Sequence, residues 1–451
     1  MTFTKSMQTV TVCGITLLFL SCTNKSDTST DSSSGSCSNA TIGMAASTIT
    51  STNTNTIPVY VADSTTTGQV GYTNEPVISV TICTPNHTSS TQCQTISNVL
   101  VDTGSYGLRL FGSAINVALT QQTVTVNSTS YNLGQCEVFG SGADWGAVKT
   151  ADVQLGNQTA TNIPIQVIDY NFSVMPSACA DLHPDTDPCT AGYNGIIGVG
   201  VFAQDCGSDC NSTATATNPG NYFACNSSQC ANAYTGACSG GVCAIPIPLS
   251  EQVVNPVTQF PTNFNNGLSL TLPSVGSTGA SAVQGTMTFG INSTAGNVPA
   301  STVVVYPADA SGMTDGHGMD FITVFNGTTY GGAASSNPAF LDSGSNGLFF
   351  NGTSAGLSEC TGSSFFCSTA SKSATIEGYL TTPSIGISFS VANTNTLASS
   401  GNTCFSNLAG QQSTIFDWGL PFFLGRTVYV GFDGKSATYN AGSSTGPYWG
   451  F

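Results

Sequence analysis

Asn98-Val99-Leu100-Val101-Asp102-Thr103-Gly104-Ser105-Tyr106-Gly107-Leu108 is an apolar strand that runs into a tight turn carrying a carboxylate. Far downstream, Ala339-Phe340-Leu341-Asp342-Ser343-Gly344-Ser345-Asn346-Gly347-Leu348 repeats the pattern. Asp, Gly, Ser, Gly and Leu recur at matching offsets, and a small hydroxyl residue follows each Asp, Thr103 in the first copy and Ser343 in the second. One such turn alone is as readily a surface turn, because Asp, Ser and Gly are common turn formers. Two copies, each behind an apolar strand, point to a duplicated unit whose halves supply one carboxylate apiece.

The rest of the chain reads as β-structure. From Ile57 onward, short apolar or alternating runs are separated by Gly, Asn, Thr and Ser. They include 57–61, 77–82, 99–101, 123–126, 151–155 and 163–168, then 268–272, 286–289, 303–306, 321–325, 385–391 and 427–432. β-branched and aromatic residues dominate these runs, and no long stretch shows helical periodicity with caps. At 451 residues the chain is long enough for two lobes of ordinary size. The expected division is an N-terminal lobe over 57–250 and a C-terminal lobe over 251–451. The Cys-, Gly- and Asn-rich stretch from Asp181 to Cys243 is expected to be loops and a disulfide-stapled insertion in the first lobe.

Charge narrows the function. Seven basic residues stand against 23 acidic ones, a net charge of −16. Too few cations are present to neutralise a phosphate backbone, so nucleic acid is not expected as a partner. Charged residues make up only 7% of the chain, so few ion pairs are lost when carboxylates protonate, and acid should cost the fold less than usual.

The N-terminus sets the compartment. Lys5 precedes an apolar stretch from Val10 to Leu20, too short to span a bilayer and of the length of a signal-peptide core. It ends in Phe19-Leu20-Ser21-Cys22, which resembles a bacterial lipobox with Cys22 as the lipidated residue. Residues 1–22 are thus expected to be a lipoprotein signal peptide and 23–56, rich in Ser, Thr and Asn, a flexible linker. Attachment to the membrane would be by lipid alone, with the protein in the bacterial outer membrane or periplasm. Seventeen cysteines agree with export. Close spacings suggest local disulfides, Cys83 with Cys93, Cys179 with Cys189, Cys206 with Cys210, Cys225 with Cys230 and Cys238 with Cys243. Cys360, Cys367 and Cys404 allow a 360–367 or a 367–404 bond. Without Cys13 and Cys22 the number is odd, and Cys37 is the expected unpaired residue. A zinc cluster over Cys206–Cys243 is the rival reading; an oxidising compartment favours disulfides, so neither metal nor cofactor is expected.

The two strings resemble those of the pepsin-like aspartic proteases, which have two β lobes, each giving one Asp in a hydrophobic-hydrophobic-Asp-Thr/Ser-Gly-Ser/Thr loop. Further motifs follow in the family's order. Phe139-Gly140-Ser141-Gly142-Ala143-Asp144-Trp145-Gly146 stands where the flap hairpin belongs, and 151–156 is its return strand. Tyr193-Asn194-Gly195-Ile196-Ile197-Gly198-Val199 resembles the apolar-apolar-Gly strand beneath the active loop. Asp320 to Tyr330 resembles the strands ahead of the second Asp, and Trp418 to Asp433 the closing segment. The resemblance, which extends to a group of bacterial lipoproteins, implies an all-β, two-lobed fold with an interlobe active-site cleft. It implies that Asp102 and Asp342 hold a water between them and, by sharing a proton, present base and acid at once. Thr103 and Ser343 would lock the two loops by hydroxyl-to-backbone hydrogen bonds, Gly104 and Gly344 would permit close approach, and Ser105 and Ser345 would bond the outer carboxylate oxygens. The activity implied is that of an endopeptidase, best in acid, acting as a monomer on a peptide or protein substrate.

One departure stands out. The family's flap usually carries a Tyr, and the matching residue here is Phe139, which has no hydroxyl; Trp145 could offer a ring and an N–H from the same hairpin. No Lys-rich prosegment is visible either, since Lys25 is the only basic residue between Cys22 and Ile57. The alternative is therefore a non-catalytic surface lipoprotein that binds a peptide, glycan or protein partner. Other chemistries fit worse. Gly352-Thr353-Ser354-Ala355-Gly356 matches a nucleophile elbow, but His87, His183 and His317 all precede Ser354, whereas the triad His should follow it. Gly198-Val199-Gly200 lacks the βαβ setting of a dinucleotide site. The terminal Tyr448-Trp449-Gly450-Phe451 is expected to pack.

Overall fold

The computed structural model describes residues 55–451 apart from 63–72, 127, 141, 181, 183, 213–217, 227–229, 232–244, 294–296, 312–318, 334 and 440–441. The expected signal peptide with Cys22, nearly all of the linker with Cys37, and Cys238, Cys243, His183 and His317 lie outside the described residues. Every apolar run singled out above falls in or overlaps a strand, and the longest α-helix among the described residues, Thr394–Ala398, has 5 residues.

A continuous band of strands joins the two halves. Thr56–Ala62 alternates inward Ile57, Val59 and Val61 with partly exposed Pro58 and Tyr60, the period of two that one buried face requires. It pairs antiparallel with Glu75–Cys83 on one side and, on the other, with Ala282–Phe289 from the second half. From there the pairing passes through Gly267–Thr271 and Thr427–Gly431 to Tyr448–Gly450 and Val305–Pro307. Trp449 is fully buried and Phe451 stacks on Tyr306 at 4.6 Å between ring centroids, so the terminal aromatics pack as expected.

The duplication extends from the turns to the strands around them. Cys93–Asp102 enters the first turn and Tyr106–Phe111 leaves it; Gly195–Val199 runs between them, parallel to the first and antiparallel to the second. In the second half Phe416–Trp418 does the same between Ala339–Leu341 and Leu348–Phe350. A strand inserted between the two arms of a turn fixes how far they splay. Asn98 secures the first arm: it takes a left-handed conformation (φ 56°) that Asn tolerates, donates to Gly192 O at 3.0 Å, and accepts from Asn194 N at 2.8 Å. The second half rests on aromatic packing, with Phe416 at 4.6 Å from Trp418 and 5.3 Å from Phe350 between centroids. Each ring removed from water there contributes about 1.5–3 kcal/mol.

Five disulfides are described: Cys83–Cys93, Cys136–Cys179, Cys206–Cys210, Cys225–Cys230 and Cys360–Cys367. The expected Cys179–Cys189 bond is not formed. Cys179 pairs instead with Cys136 on the hairpin Thr129–Phe139/Gly142–Leu155, a partner that sequence proximity could not suggest because the two are 43 residues apart. Cys189 is disulfide-bonded as well. The 360–367 alternative holds, and among the described residues the free thiol is the buried Cys404; the expected unpaired Cys37 lies outside them. Nor is the Cys-rich stretch wholly loop, since Tyr222–Cys225 adds a strand to Thr129–Phe139.

Candidate active site

The two repeated turns face one another across the halves, and the sequence of each explains how. The residue after each Asp makes reciprocal hydrogen bonds with the opposite turn. Thr103 Oγ1 donates to Leu341 O at 3.0 Å and accepts from Ser343 N at 2.9 Å; Ser343 Oγ donates to Val101 O at 2.6 Å and accepts from Thr103 N at 3.1 Å. Both side chains are fully buried. A hydroxyl is required at each place because it must donate and accept at once.

Gly104 and Gly344 are held to glycine by distance. A Cβ on Gly104 would lie 2.6 Å from Asp342 Cγ, and one on Gly344 would lie 2.9 Å from Asp102 Cγ. Each glycine is thus packed against the other half's carboxyl group. The same two residues donate their backbone N–H to their own aspartates, Gly104 to Asp102 Oδ1 and Gly344 to Asp342 Oδ1, both at 2.7 Å. On the outer sides Ser105 Oγ donates to Asp102 Oδ2 at 2.5 Å and Ser345 Oγ to Asp342 Oδ2 at 2.8 Å.

The Asp102 and Asp342 carboxyls adjoin one another, since a Cβ on Gly344 would lie 2.9 Å from Asp102 Oδ1 and 3.1 Å from Asp342 Oδ1. Asp102 is 6% exposed, Asp342 more open. Burial, then the Asp342 charge and the bond to it, hold the Asp102 carboxyl well above the usual carboxylate range, against the hydrogen bonds from Ser105 and Gly104. Two carboxyls in contact keep one proton between them, because a second negative charge in that place is too costly.

The flap segment is a true hairpin, Thr129–Phe139 with Gly142–Leu155, with Phe139 opposite Gly142 at its tip. Its tip end is tied to the strand leaving the Asp102 turn by Arg109, a fully buried cation. Arg109 Nη2 meets Glu137 Oε2 at 3.2 Å and Asp205 Oδ2 at 3.1 Å, Nη1 donates to Tyr106 O at 2.7 Å, and the guanidinium carbon lies 5.7 Å from the centre of the Phe139 ring. Phe139 therefore packs on a cation. Trp145 does not serve as the sequence allowed: no part of it is exposed, and its ring packs on Phe172 and Phe223 at 5.9 and 5.7 Å. Gly140, at the tip, has open space around it.

Three site residues escaped the sequence reading: Arg109, Tyr106 and Asp417. Tyr106 is buried behind the first turn with its hydroxyl unpartnered, and burial followed by the Asp102 and Asp320 charges raises it well above its usual value. Asp417, 3% exposed, lies on the strand inserted in the second turn. Arg109 and Asp417 had a signal, since each is a charge within an otherwise apolar strand. The described residues contain one group of three His, Cys, Asp or Glu ligand atoms within 4.8 Å of one another, Cys83, His87 and Cys93. Its two sulfurs are joined in a disulfide and have no thiolate to offer a metal.

Duplicated turns, inserted strands and facing carboxyls make the fold that of a pepsin-like aspartic proteinase. The chain is similar to the crystal structure of aspartic proteinase from Irpex lacteus, with a TM-score of 0.50 and 15% sequence identity over 88% of this chain and 96% of that one. The chain belongs to a family described as "Protein of unknown function (DUF3443)", whose model matches residues 51–451. No curated protein matches it.

Proposed function

We propose that the protein is an aspartic endopeptidase that hydrolyses peptide bonds with a water activated between Asp102 and Asp342, working best in acid. The observation that carries the proposal is the contact between the two carboxyl groups across the halves, with the Asp102 carboxyl held high by burial and by its partner. The pair with a single proton supplies both functions. Its ionised carboxylate takes a proton from water as the water oxygen attacks the scissile carbonyl carbon, and its protonated carboxyl gives that carbonyl oxygen a proton. Collapse of the tetrahedral intermediate breaks the C–N bond as the amine nitrogen is protonated. The inner and outer hydrogen bonds keep each carboxyl fixed, so little reorganisation is needed when charge moves.

The disulfides are those of an exported protein. The proposal extends to a mature form anchored through lipid on Cys22 at the bacterial outer membrane or periplasm, acting as a monomer, with lobes over 57–250 and 251–451. Phe139 favours a second reading, a binder that uses the same cleft, because the flap tip offers an apolar ring and no hydroxyl. Digestion of a denatured protein between pH 3 and 7 separates the two. Cleavage that disappears in Asp102→Asn and in Asp342→Asn supports the peptidase, and cleavage that persists in both refutes the dyad. A folded wild type that never cleaves leaves the binder.

A further inference from the structure

Arg109 stands where the second half has a hydrocarbon. Counted from each Asp, it falls at the place of Phe349, and the strand pairing agrees: Arg109 lies opposite Ile196 and Phe349 opposite Asp417, each on the inserted strand of its half. Phe349 packs on Phe365 at 5.7 Å between ring centroids. A strand leaving such a turn therefore needs no cation. A buried ion pair gives a fold little that well-packed hydrocarbon would not, because desolvating both charges offsets their attraction. What explains the guanidinium in the first half is what it reaches.

It reaches the two parts whose spacing matters to a cleft. On one side Nη1 donates to Tyr106 O at 2.7 Å, on the way out of the Asp102 turn. On the other, Nη2 meets Glu137 Oε2 at 3.2 Å, and the guanidinium carbon lies over the Phe139 ring, 5.7 Å from its centre. Glu137 and Phe139 belong to the last residues of the strand Thr129–Phe139 before the flap tip. A third side is fixed as well. Asp205 Oδ2 meets the same Nη2 at 3.1 Å; Asp205 Oδ1 accepts from the Tyr222 hydroxyl at 2.7 Å, and that hydroxyl accepts from Val253 N at 2.8 Å. Held from three sides, the guanidinium cannot swing, and the ring resting on it is held in turn. Val138 is 52% exposed and Gly140 faces open space, so Phe139 is the tip residue that packs.

We propose that Arg109 is a positioning residue for the flap: its guanidinium, fixed to the exit of the Asp102 turn, holds the Phe139 ring and so sets the distance between the flap tip and that turn. The inference rests on the peptidase reading. It makes Phe139 an anchor rather than the site of a missing hydroxyl, since what the position requires is an aromatic face. A cation removed from water binds such a face more strongly than an exposed one does.

The test uses the full chain as wild type, Phe139→Tyr, Phe139→Leu, Arg109→Lys and the double variant Arg109→Lys with Phe139→Leu. It reads kcat and KM for a quenched fluorescent peptide, and the hydrogen exchange of the flap amides. Phe139→Tyr keeps a ring on the cation and should stay within about threefold of wild type in kcat. Phe139→Leu keeps the bulk and loses the face. It should lose about tenfold in kcat with KM within about threefold, while its unfolding midpoint stays within about 4 °C of wild type. Arg109→Lys keeps a charge for Glu137 and Asp205 but loses the planar group, so in that background Phe139→Leu should cost less than about threefold more. In Phe139→Leu and in Arg109→Lys the flap amides should exchange at least about fivefold faster, with the second half unchanged. Equal kcat for the Leu and Tyr variants, losses that multiply in the double variant, or unchanged flap exchange would each overturn the proposal. If Arg109→Lys does not fold, the comparison of Leu with Tyr at position 139 decides. If the folded wild type cleaves nothing, the peptidase reading fails, and hydrogen exchange alone decides whether Arg109 holds the flap.

Discussion

Replacing Thr103 by valine tests the joint between the halves with almost no change of shape. The hydroxyl accepts from Ser343 N at 2.9 Å and donates to Leu341 O at 3.0 Å, and the residue is fully buried. Valine leaves that N–H and that C=O buried without partners. An orphaned buried polar group costs about 1–3 kcal/mol, so with two of them Thr103→Val should destabilise the protein by about 2–6 kcal/mol. Ser343→Ala removes the matching pair of bonds and should cost a similar amount. Because both hydroxyls sit in one network, the double variant should lose less than the two single losses together, by at least about 0.5 kcal/mol. Denaturant unfolding of the four proteins gives these values, provided that each unfolds in one cooperative step. Peptide cleavage should fall with stability well below the midpoint, since the joint sets the distance between Asp102 and Asp342. A Thr103→Val protein within about 0.5 kcal/mol of wild type, or strictly additive losses, would refute a load on this joint.

Stability should fall as pH rises from 4 to 8. Burial, then Glu137, holds Asp205 at about 7, and burial holds Asp185 at about 6, against an ordinary 3.8. A carboxyl raised by folding keeps its proton longer in the native chain, so its stabilising contribution is whole below about pH 4 and is lost as pH passes the folded value; for Asp205 alone that is about 4 kcal/mol. A melting temperature that rises between pH 4 and 7 would contradict this. Opening Cys136–Cys179, 43 residues apart, by Cys136→Ser with Cys179→Ser should cost about 4 kcal/mol, against about 2 for Cys206–Cys210, 4 apart, measured by chemical unfolding. The Cys404 thiol, pushed up to about 12 by burial, should resist alkylation at pH 8 in the native protein and react after denaturation, as peptide mapping will show.

The turns and their partners were legible because they are local and repeated. Asp102 with Thr103, Gly104 and Ser105, and Asp342 with Ser343, Gly344 and Ser345, carry in sequence the donors and the absent side chains that the meeting of two turns demands. The inserted strand of the first half was legible from its Gly-Ile-Ile-Gly run. Its counterpart was hidden, because Asp417 interrupts an apolar pattern that Ile196 leaves whole. Cys136–Cys179 was illegible, since contacts between distant segments leave no mark on local spacing. Arg109 stood in plain view among Leu108, Leu110 and Phe111. Only the fold shows that Glu137 and Asp205 come to it from 28 and 96 residues away. The same fold turns Trp145 inward and leaves Phe139 on the guanidinium.

The central claim is that Asp102 and Asp342 act as one unit. Single-turnover cleavage of a quenched peptide at pH 4 by wild type, Asp102→Asn, Asp342→Asn and the double variant tests it directly. Groups that act together lose nearly everything when either is removed, so each single variant should fall by at least about a thousandfold and the double variant no further. Independent losses that multiply in the double variant, or a single variant that keeps a tenth of the wild-type rate, would contradict it.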